Sequence, residues 1–261
     1  MTVGQPLYDR IGTTYATTRR EDPRIAAAIR AAIGDARSVL NVGAGAGAYE
    51  PADCDVIALE PSAAMIAQRA GRSENVIQGD AAAIPLDDDS VDVAMAILSD
   101  HHWARRADGL REMRRVARDR VVVLNTDPAA VDRFWMTRDY LPGFIDLIPQ
   151  RHRAPGIWAA DLGELLGPAS IRTLEIPHDC VDGFYHAFWR RPRAYLDQAV
   201  RDNISVFHRL AAAEVADGIT RLAGDLADGT WLGRHGDLMS RESLDLGLRL
   251  VVASVSRRAR V

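Results

Sequence analysis

The sequence predicts an α/β fold, a parallel sheet with crossover helices, and three observations predict it. From Ser38 to Val123 short β-rich runs alternate with helical ones, the pattern left by strands joined through crossover helices. A glycine-rich turn, Gly43, Gly45 and Gly47, follows the first apolar run directly. Two more β-rich runs, 171–176 and 248–255, are separated by a long, mostly helical stretch from about Val181 to Asp237, which reads as an insertion over the sheet.

The elements follow in order. In DPRIAAAIRAAIG, Asp22 stands as an N-cap, Pro23 at the first helical position and Gly34 at the end, so a helix precedes the first strand. SVLNV, VIALE, a short run before Asp80, VDVAMAIL and RVVVLN are the strands. PSAAMIAQRA and ARRADGLREMRRVARD are the helical connections between them. The irregular piece LPGFIDLIPQRHRAPG, residues 141–156, is the expected mobile loop. Of the 16 aromatics, most fall between Phe134 and Phe207. They can build the core of a thin helical cap or line a substrate chamber, and both uses fit different residues.

Composition removes whole classes of function. The 261 residues suffice for one large domain with a sizeable core. Acidic residues outnumber basic ones 36 to 32, a net charge of −4, so no positive field favours nucleic acid or an anionic membrane. Every basic residue is arginine, which excludes Schiff-base chemistry, a pyridoxal phosphate anchor and a P-loop lysine. Cys54 and Cys180 form no C-x-x-C pair, and neither a secretion signal nor a membrane-length apolar run is found, so a cytoplasmic protein in a reducing compartment is expected.

Glycines after a strand let the backbone turn tightly against a nucleotide, with a helix N-terminus close by. Gly43, Gly45 and Ala48 also satisfy the dinucleotide pattern G-x-G-x-x-G/A, so the turn alone fits NAD or another adenosine cofactor. Glu60 ends the second strand, where a carboxylate can accept from both ribose hydroxyls under either reading. The run VLNVGAGAG, IALEPS, QGDAAAIPLDDDSVDVAMA, LREMRRV and RVVVLN resembles the class I S-adenosylmethionine (SAM)-dependent methyltransferases of small molecules. The opening YDRIGTTYATTRREDPRI and the later PHDCVDGFYHAFWRRPRAYLD resemble a bacterial branch of that group.

The resemblance implies a Rossmann-like, seven-stranded, mostly parallel sheet flanked by helices, one strand antiparallel, with SAM at the carboxyl edge. By resemblance, Gly43, Gly45 and Gly47 pack against the amino-acid and ribose part, Glu60 binds the ribose hydroxyls, and Asp80 and the Ala81 N–H meet the adenine. Leu98 completes that set, and Tyr15 and Arg19, with Arg20, close the methionine end. Many members carry an acid where this chain has Asn41. The expected organisation is an N-terminal cap segment and helix (1–36), a SAM-binding core (37–180), a mostly helical lid inserted before the last strand (181–237), and that last strand (238–261).

Ligands of open α/β sheets bind outside the carboxyl ends of the strands. Three clusters follow strands: Asp100 to Trp103, Asn125 to Asp127, and His178 to Cys180. Methyl transfer needs in-line alignment and exclusion of water, and a base only if the acceptor keeps a proton. His102 and His101 are the leading candidate bases, with His178 next. No metal is expected, because no tight ligand spacing is found. The arginines of 105–120 read as the solvated face of a helix whose apolar face is Leu110, Met113, Val116 and Ala117. RRPR at 190–193 reads as a surface corner. The expected activity is methyl transfer from SAM to O, N or C of a small, aromatic or partly apolar metabolite. The alternatives are an NAD-dependent oxidoreductase, for which a Tyr-x-x-x-Lys is impossible without lysine, and a SAM-binding protein that does not methylate. The oligomeric state is left open.

Overall fold

The computed structural model describes residues 19–69 and 75–255; Tyr15 lies outside them. The first strand, β1 (Ser38–Val42), is flanked in parallel by β2 (Asp55–Glu60) on one side and β4 (Val91–Ile97) on the other. Beyond β2 lies β3 (Val76–Gln78), and beyond β4 lies β5 (Ala117–Thr126), both also parallel. The sheet is completed by β6 (Ala169–Thr173) at the far edge and by β9 (Leu248–Ser254) slotted antiparallel between β5 and β6. The order is therefore β3-β2-β1-β4-β5-β9-β6. The chain winds outward in both directions from β1 and β4, so a crevice opens between their carboxyl ends, where such sheets hold ligands.

Period-2 alternation distributes the strands over two apolar layers. Val39, Val93, Met95, Val122 and Leu124 face the layer capped by helix α1 (Pro23–Ile33) through Ile25, Ile29 and Ile33. Leu40, Ala94, Val121 and Val123 face the other layer. Two helices we number α3 and α5 (Arg106–Val116 and Ile157–Leu166) close that layer with Leu110, Met113, Val116, Trp158, Leu162 and Leu166; between them in the chain come α4 (Gly143–Asp146) and, earlier, α2 (Ala63–Ile66). The caps read from the sequence hold α1. The Asp22 carboxylate accepts from Arg24 N at 3.0 Å, and Gly34 ends the helix at φ +68°.

Three expectations are corrected. The run 104–119 is helical only to Val116; Ala117 pairs with Val91, so the following residues belong to β5. PSAAMIAQRA keeps one helical turn, α2. IRTLEI is not one strand: it leaves the sheet after Thr173, and Ile176–Pro177 (β7) pairs instead with Ser243–Leu244 (β8).

The chain between β7 and β8 begins with irregular turns and continues as α6 (Gln198–Asp202), α7 (Ser205–Arg209), α8 (Ala212–Ala227) and α9 (Thr230–His235). It packs on the segment after β5 through buried aromatics. Trp135 lies edge-on to Tyr140, Tyr195 and Trp231, and its Nε1 donates to Trp189 O at 2.8 Å. Phe134, Trp135, Tyr140, Trp189 and Tyr195 are at most 2% exposed, so most of the aromatic cluster is core.

Candidate active site

The turn after β1 is built by its glycines. Gly43, Gly45 and Gly47 all have positive φ, between +54° and +90°, a region that costs other residues steric strain. Gly43 is also packed so closely that a Cβ there would stand 2.8 Å from Ser99 Cβ, while Ser99 Oγ donates to Val42 O at 2.8 Å. Glu60 is 5% exposed at the end of β2 and is aimed by two backbone donors, Gly45 N to Oε2 (2.8 Å) and Ser62 N to Oε1 (2.9 Å). Each carboxylate oxygen accepts more than one bond. Beneath the turn, Asn41 Nδ2 donates to Glu50 Oε1 (3.0 Å), Arg69 Nη2 donates to both Glu50 oxygens (2.8 Å each), and Arg69 Nη1 reaches Gly45 O (3.2 Å). A buried carboxylate thus stands beside Asn41 after all, supplied by Glu50.

These groups border a cleft of about 510 Å3 lined by Arg19, Asn41, the glycine turn, Tyr49, Glu60, Met65, Ile97, Leu98, Ser99 and His102. Its far wall follows from the end of β4. Leu98 takes φ +52°, an unusual conformation for a branched side chain. It leads into a 3-10 turn, Asp100–His102. Asp100 is fully buried, accepting from Arg106 Nε at 2.8 Å and from Asn125 Nδ2. The His101 and His102 rings stand above it with centroids 3.9 Å apart.

Across that wall lies an open chamber of about 830 Å3. Arg19, Leu98 and His102 line both spaces. The chamber adds His101, Asn125, Thr126 and Val131 from the sheet edge, Phe144 and Ile148 from the 141–156 segment, and Phe184 to His186, Asn203 to Val206 and Arg209 from the insertion. Arg19 is held there by Asp182, at 2.5 Å from Nε and 3.1 Å from Nη2, and Tyr49 OH donates to the same carboxylate at 2.9 Å. Burial, with Asp182 beside it, keeps the Tyr49 phenol protonated far above its usual range.

Both histidines are neutral near pH 7. His101 keeps accessible surface at the chamber, yet desolvation by the protein packed around it pushes its pKa down to about 4, Asp100 opposing and Arg209, Arg19 and Arg106 assisting. Desolvation, then His101, Arg209 and Arg19, carries His102 well below 6.5.

A sequence model described as a methyltransferase domain matches residues 40–124. The chain is 31% identical to a protein assigned as a methyltransferase of an antibiotic biosynthesis pathway in Anabaena variabilis. The alignment covers 90% of this chain and 98% of that one, with a TM-score of 0.79. This chain belongs to the class I SAM-dependent methyltransferases. A Thermotoga maritima SAM-dependent methyltransferase, with histamine N-methylation as its suggested reaction, shares the fold at 12% identity and a TM-score of 0.55, covering 95% and 98% of the two chains. So does the [4+2]-cyclase SpnF, at 14% identity and 0.54, covering 97% and 95%. A search of curated proteins finds no match.

The methyltransferase fold brings Gly43, Gly45, Glu60, Arg19, Leu98, His101 and His102 together, with Gly47 in the same turn but outside the cleft's lining. His178 is not among them. Because β7 turns away from the sheet, His178 sits at the β7–β8 neck, its N donating to Glu242 O at 2.9 Å and Nδ1 facing Glu242. Asp179 there pairs with Arg24, and Cys180 is buried with its thiol pushed up to about 12 by desolvation. Asp80 is exposed just beyond β3, its carboxylate accepting from Ala82 N at 2.8 Å, and the Ala81 side chain packs in the core; neither lines the cleft. Arg20 is exposed, and Arg191 of RRPR bonds backbone carbonyls. Sequence reasoning missed Glu50 and Arg69 under the turn and His186 and Arg209 in the chamber. Among the described residues no cluster suits a metal ion, and no helix is long and apolar enough to cross a membrane.

Proposed function

We propose that this methyltransferase methylates an O–H or N–H of a small, aromatic or partly apolar molecule held in the chamber. The single observation that carries the reading is the wall of Arg19, Leu98 and His102 shared by the glycine cleft and the chamber, through which two reactants would meet. The cleft fits SAM: three positive-φ glycines admit close backbone approach, and Glu60 is an acceptor-only group already oriented. Glu60 would hold the ribose hydroxyls and Arg19 with the glycine turn the amino-acid end, while Asp80 and the Ala81 N–H, beyond the cleft's lining, would meet the adenine where it extends past β3. When bound, SAM supplies an electrophilic methyl on a sulfonium.

The chain's own work is alignment and proton removal. His102 borders both spaces and is uncharged, so it is ready to take the acceptor's proton. The guanidiniums of Arg19 and Arg209 that depress its pKa also favour the deprotonated acceptor, so both pKa values move down together. The insertion from 181 to 237 acts as the lid that excludes water, with Phe184, Tyr185 and Ile204 turned to the chamber.

Two measurements test this. A mass-spectrometric screen of metabolites with SAM should give a product one methyl heavier; products confined to carbon acceptors would overturn the O–H or N–H assignment. In calorimetry SAM should bind and NAD should not, and Glu60→Ala should lower SAM affinity about tenfold or more. Unchanged affinity in a folded variant would displace Glu60 from the ribose.

A further inference from the structure

The chamber's charge is one-sided. Among the described residues no carboxylate lines it, while two guanidiniums do. Arg19 is already paired with Asp182 through two bonds. Arg209, exposed at the wall, has no carboxylate partner among the described residues, whereas its neighbours are engaged, Arg106 by Asp100 and Arg201 by Tyr195 O and Gln198. A cation facing a concavity with no opposing carboxylate rejects cationic ligands and attracts anions.

A second group points to a ligand independently. His186 lines the same chamber, is 5% exposed, and its Nε2 is buried without a hydrogen-bond partner. Its ring is packed between Phe134 and Tyr185, with centroids 5.0 and 5.1 Å away. Buried polar nitrogens are nearly always bonded, so one left open beside a cavity asks for a partner from what fills it. Desolvation pushes its pKa down to about 3, so it recognises a ligand by hydrogen bonding and not by charge.

Resting on the reading of the chamber as the acceptor site, we propose that the acceptor is an aromatic acid. Its carboxylate pairs with Arg209, and a hydrogen-bonding substituent meets His186. Arg209 and His186 are then specificity determinants, with His102 left to the reacting atom.

The probes are 3,4-dihydroxybenzoate and 3,4-dihydroxycinnamate, with one hydroxyl for His102 and one for His186, each beside its uncharged amide and titrated calorimetrically into protein saturated with S-adenosylhomocysteine. The acids should bind at least about tenfold more tightly than the amides. Arg209→Gln should remove that preference, and Arg209→Lys should keep part of it. His186→Phe should weaken acids and amides alike by about tenfold, and His186→Asn should recover part of the loss. Amides binding as well as acids, a ratio untouched by Arg209→Gln, affinities untouched by His186→Phe, or no acid bound at millimolar concentration would each overturn the proposal. Failure of S-adenosylhomocysteine to bind at the outset would instead strike the reading of the cleft.

Discussion

His102 is a base poised low. An ordinary imidazole protonates near 6.5, but desolvation, His101 and two arginines hold this one neutral to well below that value. The acid limb of kcat/KM should therefore lie below the ordinary histidine value, and Arg209→Ala, removing one depressing charge, should move it upward. His102→Ala should cost roughly 10²–10⁴-fold in kcat while SAM affinity changes far less; a rate within threefold of the parent would return His102 to structure. His186 carries a stability consequence instead. Its folded pKa of about 3 lies below the unfolded value, so between about 6.5 and 3 the unfolded chain binds the extra proton and stability falls as pH falls. The loss is on the order of 4 kcal/mol across that window, and urea titrations at pH 7 and 4 should show His186→Phe shrinking the difference. His101 and His102 were legible because they follow a strand at the ligand-bearing edge. His186 and Arg209 were not, since they come from an insertion whose irregular turns carry no periodicity to say which side faces inward.

Helix α8 crosses the segment after β5 so closely that a Cβ on Gly218 would lie 2.4 Å from Tyr140 O. In an exposed helix Gly→Ala stabilises by roughly 1 kcal/mol. Here Gly218→Ala should destabilise by about 1–3 kcal/mol, through displacement of α8 from the backbone beneath it. A urea midpoint that rises would refute this contact. Element identity was mostly readable, because Asp22, Pro23 and Gly34 announce α1 and apolar runs announce the parallel strands. It failed where pairing overrode local preference. ARD after Val116 is helix-compatible by composition, yet Ala117 is drawn into register with Val91, and Asp92 is bonded by Arg118 and by the N–H groups of Arg37 and Ser38. IRTLEI reads as one strand because only the position of Ser243–Leu244, far along the chain, draws Ile176 off the sheet.

At the scale of the molecule, the cofactor half is a sheet between two apolar layers, while the chamber's outer walls are built from turns and short helices. Binding of S-adenosylhomocysteine and acceptor should slow hydrogen exchange over 184–209 more than over α3; equal protection would mark the insertion as a static wall. The mostly parallel sheet was legible from the strand-helix alternation, and its seven strands with one antiparallel from the resemblance. The aromatic region was readable only as a density, since sequence cannot separate the rings that fill the core from Phe144, Phe184 and Tyr185, which border the chamber. The short β7–β8 ladder carries a further consequence. The insertion leaves and re-enters the body at paired residues, Ile176 with Leu244 and Pro177 with Ser243, so its ends lie one strand spacing apart, about 5 Å. A foreign segment grafted at that neck would need little loop-closure entropy. Yet its aromatics interlock with Phe134 and Trp135 after β5, and its Asp225 accepts from Tyr140 OH, so only chimeras exchanging both pieces would transplant an acceptor preference onto an unchanged cofactor half.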